Sequence, residues 1–160
     1  MIPVLVGHAH LKIQMVKFRS DVPIMRGLMP MLFLNGCRLM VSSKIVDRAV
    51  SAAKNTSFHR YRHGCVIFKG DRIISTGHNK KIASTRVARF GYRNCWLHAE
   101  ADAILKANTR DLRGASLLVV RIGKTKLCNS RPCRHCMALI EEIGIKNVYY
   151  STKRGDIKMM

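Results

Sequence analysis

Apolar residues recur every three to four positions through Ile45, Val46, Ala49, Val50 and Ala53, the period of a helix that buries one face. Ser42 or Ser43 stands where a cap is expected and Asn55 where the helix should end. Phe58 to His63 is a polar, basic connector. The near-continuous apolar run Cys65-Val66-Ile67-Phe68 then reads as a strand covered on both faces. Lys69-Gly70-Asp71 supplies a turn, and residues 72–77 return as the second arm of a hairpin that ends at His78-Asn79.

The helical period resumes over Leu97 to Asn108, with Leu97, Ala101, Ile104 and Leu105 inward. Leu117 to Val120 forms the centre of a buried strand over Ala115 to Ile122. Pro132 suits the first turn of the next helix, which runs through Met137, Leu139, Ile140 and Ile143 to Gly144, a residue fitted to the left-handed stop. A last strand covers Lys146 to Ser151, and this helix joins it to the preceding strand as a parallel crossover. Thr152 to Met160 is too short for another helix and strand, so the sheet is expected to stop at four strands. Its open edge would then be available to a second copy of the chain.

Residues 1–40 break this order. The first 39 hold five of the nine methionines, one acid, Asp21, and short apolar runs interrupted by Pro3, Pro23, Pro30 and Gly36. Three readings stand for this basic, Met-rich extension: a targeting peptide, a segment that packs on the domain or on nucleic acid, or upstream translation with Met40 as the true start. The organised domain covers 41–160. No apolar window is long enough for a membrane helix.

The chemistry concentrates in two stretches. Leu97-His98-Ala99-Glu100-Ala101 carries an imidazole and, two residues on, a carboxylate; Pro132-Cys133-Arg134-His135-Cys136 carries two thiols that share a face if they open a helix. His98, Cys133 and Cys136 make a mixed nitrogen and sulfur donor set suited to zinc. Three protein ligands leave a fourth position for water, which is the arrangement of a catalytic zinc rather than a structural one. Glu100 is then an unligated carboxylate placed to move the proton of that water. A closed structural site would need Cys128 or His135 as a fourth ligand and would leave Glu100 without a role. Cys37, Cys65, Cys95 and Cys128 read as reduced thiols in a reducing, cytoplasmic setting.

Charge changes the picture of the partner. The chain holds 29 Lys and Arg against 9 Asp and Glu, a formal +20, which points to an anionic substrate or a polyanion. Lys80 to Trp96 combines Lys80, Lys81, Arg86, Arg89 and Arg93 with Phe90, Tyr92 and Trp96 and has no acid. That mixture suits base stacking along a single strand, a phosphate clamp, or a solvated loop with its aromatics in the core. Arg131, on the basic loop before Pro132, is a further phosphate candidate, and Tyr150 of the last strand a candidate to approach a base.

In order and spacing, the His-x-Glu and Pro-Cys-x-x-Cys pair resembles the zinc-dependent cytidine and deoxycytidylate deaminase superfamily over roughly residues 42–152. Residues 145–150 look most like the deoxycytidylate branch. The resemblance implies an α/β, three-layer cytidine-deaminase-like fold, a mixed sheet of about four to five strands with helices on both faces. It implies zinc as cofactor and hydrolytic loss of the exocyclic amine of a cytosine nucleotide, dCMP or a relative, through a zinc-bound hydroxide with Glu100 as proton shuttle. It places Asn79 against the substrate sugar and the Ala99 N–H against the pyrimidine carbonyl. The superfamily also contains enzymes acting on cytosine or adenine in single-stranded DNA or RNA, the alternative that the charge favours.

Overall fold

The computed structural model describes residues 41–82, 84–92, 96–108 and 112–160; the extension expected at residues 1–40 lies outside them. The elements run α1 (Ser43–Lys54), β1 (Arg62–Lys69), β2 (Arg72–His78), a 3-10 turn (Thr85–Phe90), α2 (Ala99–Lys106), β3 (Ser116–Ile122), β4 (Leu127–Cys128), α3 (Arg134–Ile143), β5 (Asn147–Ser151) and β6 (Ile157–Met159). The sheet order is β2-β1-β3-β5-β6, with β4 paired to β3 off that path. β1 is antiparallel to β2 and β3, whereas β3 and β5 are parallel, joined through α3.

Strand alternation divides the core in two. Cys65, Ile67, Leu117 and Val119 pack with α2, α3 and Val87, and Val66, Phe68, Leu118, Val120 and Tyr149 pack with Ile45, Ala49 and Ala53 of α1. The sheet is thus sandwiched between helices, the three-layer architecture that the resemblance implied, and the strand at 65–68 is covered on both faces as its apolar run predicted. The β1–β2 hairpin closes through Gly70-Asp71, where Gly70 takes φ +55°, the demand of a two-residue turn with a left-handed first position. Ser42 occupies the cap position of α1, but its hydroxyl makes no capping bond and is buried without a partner among the described residues.

The four-strand expectation is corrected at the C-terminus. Nine residues cannot supply a crossover helix, but they suffice for a hairpin. The Thr152 N–H donates to the Asp156 carbonyl, and Gly155 turns at φ +100°. β6 then pairs antiparallel with β5 through Tyr149–Met159 and Ser151–Ile157, covering the edge expected to be open.

Two interactions seat α2 on the sheet. A Cβ at Gly77 would lie 2.3 Å from the Ala103 nitrogen and 2.4 Å from the Ala99 carbonyl oxygen, so only glycine permits this approach. Asp102, buried, accepts from the His78 N–H at 3.0 Å and pairs with Lys80 at 2.9 Å and Lys106 at 2.7 Å. Burial pushes its carboxyl up, but the bonds from Lys106, Lys80 and His78 outweigh this and hold it below the ordinary 3.8.

Gly77→Ala should therefore lower the unfolding free energy by about 1–3 kcal/mol or more in urea titrations, because overpacked backbone cannot yield cheaply. The Asp102 contribution is complete above its unfolded-state value and is lost as pH falls through its lower folded-state value. Melting temperatures followed from about pH 5 to pH 2 should fall less steeply in Asp102→Asn than in wild type.

Candidate metal and catalytic site

The first turns of α2 and α3 meet on one side of the sheet. His98 caps α2 and Cys133 caps α3, both with extended backbone, so each helix begins one residue beyond the expected ligand. Cys136 follows in the first turn of α3. His98 Nδ1 lies 3.3 Å from Cys136 Sγ and 3.6 Å from Cys133 Sγ, and all three donor atoms fall within 4.8 Å of one another. Tetrahedral zinc, with bonds of about 2.0 Å to nitrogen and about 2.3 Å to sulfur, spaces such donors by about 3.5 Å. The donor set fits zinc.

Neither alternative fourth ligand joins this cluster. The Cys128 thiol faces the Lys126 carbonyl, and His135 accepts from Arg134 Nε and lies against Gly91. Cys136 donates to Cys133, which lowers the Cys133 thiol to about 3 and raises that of Cys136. The hydrogen bond to Cys133 likewise raises His98. Glu100, 6% exposed, sits in the first turn of α2 beside these groups. Burial raises its carboxyl, partly opposed by its own backbone N–H and by His98.

These residues open on a cleft of about 290 Å³, near the lower end for a small-molecule site. Asn79, Trp96, Ala99 and Arg131 all line it beside His98, Glu100 and Cys133. Asn79 accepts from the His63 N–H at 2.9 Å and donates to the Tyr61 carbonyl at 2.6 Å, so it also fixes the segment leading into β1. Tyr150 is not among the lining residues; it packs, half-buried, against the core under α2 and α3. Tyr149 lies on the opposite face with Phe68. Buried hydroxyls fix the approach to Cys133: Ser130 Oγ donates to the Val119 carbonyl and accepts from the Ser151 N–H, each at 2.8 Å.

The sequence reading missed Phe58, Tyr61 and His63, which form one wall. Phe58 stacks on Trp96 with ring centroids 4.9 Å apart. Burial pushes the pKa of His63 down, reinforced by Arg121 and His98 and opposed by its bond to the Tyr61 carbonyl. The signal was present, since 58–63 interleaves aromatic and basic residues as 80–96 does. Conversely, much of 80–96 is structural. Lys80 is engaged by Asp102, Arg89 pairs with Glu142, Phe90 packs against the core, and Tyr92 is buried with its hydroxyl on Cys136. Arg93 lies outside the described residues.

Residues 40–152 match the family described as the cytidine and deoxycytidylate deaminase zinc-binding region. The chain is 30% identical over 125 residues to the deoxycytidylate deaminase of Schizosaccharomyces pombe, covering 69% of this chain and 36% of that one. It is 32% identical over 120 residues to the deoxycytidylate deaminase of Mycobacterium phage D29, covering 64% and 87%. The chain thus spans about a third of the fission yeast protein but most of the phage one. Among solved structures, dCMP deaminase from cyanophage S-TIM5 aligns with TM-score 0.52 and 22% identity over 68% of this chain and 79% of that one. Cytidine deaminase from Burkholderia pseudomallei aligns with TM-score 0.55 and 19% identity over 76% and 92%. Both share the fold. With its zinc-ligand geometry and a family match over most of its length, this chain belongs to the cytidine and deoxycytidylate deaminase family.

Proposed function

We propose that the protein hydrolytically deaminates a cytosine nucleotide, dCMP or a close relative. One observation carries this reading: three zinc-suited donors cluster beside a buried carboxylate, and two of them, His98 and Cys133, line one cleft together with Glu100. Zinc held by His98, Cys133 and Cys136 would supply the Lewis acidity that brings the pKa of a water toward neutrality. Glu100 takes a proton from the attacking water and passes it to the ring nitrogen as the new carbon–oxygen bond forms. It then carries the second proton, from the added hydroxyl, to the exocyclic nitrogen, which leaves as ammonia as the carbon–nitrogen bond breaks and a new ring carbonyl forms.

The other wall residues orient the substrate. The Ala99 N–H, in a first turn whose donors lack intrahelical acceptors, is placed to bind the pyrimidine carbonyl. Asn79 retains donor and acceptor capacity for the sugar beyond its two bonds to the 61–63 segment. Trp96, 51% exposed and backed by Phe58, offers a stacking surface. Arg131 at the rim suits a phosphate.

The relatives named deoxycytidylate deaminase support a monomeric nucleotide as substrate. So does the structural use of the 80–96 segment, where Phe90 packs on the core, Tyr92 is buried, and Lys80 and Arg89 are each paired with an acid.

Ammonia release with dCMP, CMP, deoxycytidine and a cytosine-containing single-stranded oligonucleotide tests the reading. Turnover of the monophosphates supports it, whereas turnover of the oligonucleotide alone replaces it with polynucleotide deamination. Glu100→Gln should cost about 10²–10⁴-fold or more in kcat while zinc content is kept, the scale of a lost proton shuttle. Cys133→Ser should lose zinc and activity together. Arg131→Ala should raise KM for the monophosphate by about 10–100-fold, as expected for one charge-assisted hydrogen bond, and leave deoxycytidine unchanged.

A further inference from the structure

The phenol of Tyr92 is 6% exposed and its oxygen lies 2.9 Å from Cys136 Sγ. Its ring meets His98 edge-on at 5.2 Å, so the same side chain touches two of the three donor residues from beneath. The chain is built to put it there. The 3-10 turn lies against α3, with Val87 buried at 1% exposure and Arg89 paired to Glu142. Gly91 then takes φ +92°, and a Cβ there would strike the His135 ring at 2.9 Å. This reversal drops Tyr92 under the helix that carries Cys136.

A buried hydroxyl without a partner is costly, and packing alone would be served by phenylalanine. Here the O–H is directed at sulfur, where a thiolate strengthens the bond through its charge. We propose that Tyr92 is a positioning residue for the metal site: its O–H···S bond fixes the direction of the Cys136 lone pairs and draws charge from the thiolate. Cys136 becomes a better-aligned and weaker electron donor, which leaves more positive charge on the bound ion. This rests on the zinc reading of the cluster, but not on the identity of the substrate.

The test compares wild type, Tyr92→Phe and Val87→Ala, the last as a packing control from the same segment. Zinc affinity is read by competition with a chromophoric chelator, and ligand electronics by the sulfur-to-metal charge-transfer band of the cobalt(II) form. Tyr92→Phe should weaken zinc binding by about 10–100-fold, the lost alignment of Cys136 outweighing its gain in donor strength. It should also move the cobalt band to longer wavelength, because an unrestrained thiolate gives up charge more readily. Val87→Ala should lower the melting temperature and leave the band in place. Should Tyr92→Phe fail to fold, 3-fluorotyrosine at position 92, a stronger donor, should move the band to shorter wavelength. The inference is overturned if the phenylalanine variant keeps both band and affinity within about twofold, if the fluorinated protein shows no shift, or if Val87→Ala moves the band equally. Wild-type protein that takes up neither metal overturns the zinc reading and this inference with it, whatever the substrate assay returns.

Discussion

The site depends on how closely one short helix can lie on a strand. α2 is eight residues long, too short to be stable on its own propensity. Gly77 lets its backbone approach β2 at a distance that a methyl group would forbid, and Asp102 ties its middle to His78, Lys80 and Lys106. His98, Ala99 and Glu100 occupy the end of that seated helix. Their positions are set from the sheet side, by Gly77 and Asp102, neither of which lines the cleft. α3 is fixed differently: the Ser130–Ser151 hydroxyl pair anchors the chain just before Cys133, and Tyr92 supports Cys136 from below.

The grouping of His98, Cys133 and Cys136 beside Glu100 was legible because each lies within a local pattern: two short motifs, each opening a segment of helical period. The alternating core was legible for the same reason, since Cys65 to Phe68 reports a strand with both faces covered. Tyr92 was not. Its partner lies 44 residues away, and the basic, aromatic sequence near it suited base stacking, a phosphate clamp or a solvated loop with its aromatics in the core. Only the close packing of the 3-10 turn against α3 decides that this tyrosine faces sulfur rather than solvent. β6 was missed because a hairpin return of three residues leaves almost no periodic signal.

The formal charge of +20 was the strongest compositional feature and the least specific guide. Charge counts do not distinguish a cation facing a ligand from one engaged by a buried carboxylate. Lys80 lines the cleft, yet its ammonium is paired to Asp102, and Arg89 is turned onto Glu142. Net charge raises the concentration of any anion near the protein. Among the described residues Arg131 lines the cleft, and in the proposed reading it is the cation suited to a substrate phosphate.

The wall that stacks Trp96 on Phe58 has an optical consequence. Trp96 is the single tryptophan of the chain and stands half-exposed in the cleft. Its indole emission therefore comes from one known place, beside the groups that would meet a ligand's base. An aromatic ring entering the cleft displaces water from that indole and lies within quenching reach of it. The protein thus carries an intrinsic fluorophore for occupancy, which can follow binding in the Glu100 variant whose turnover the proposed mechanism would abolish, and so separate affinity from chemistry without any added label.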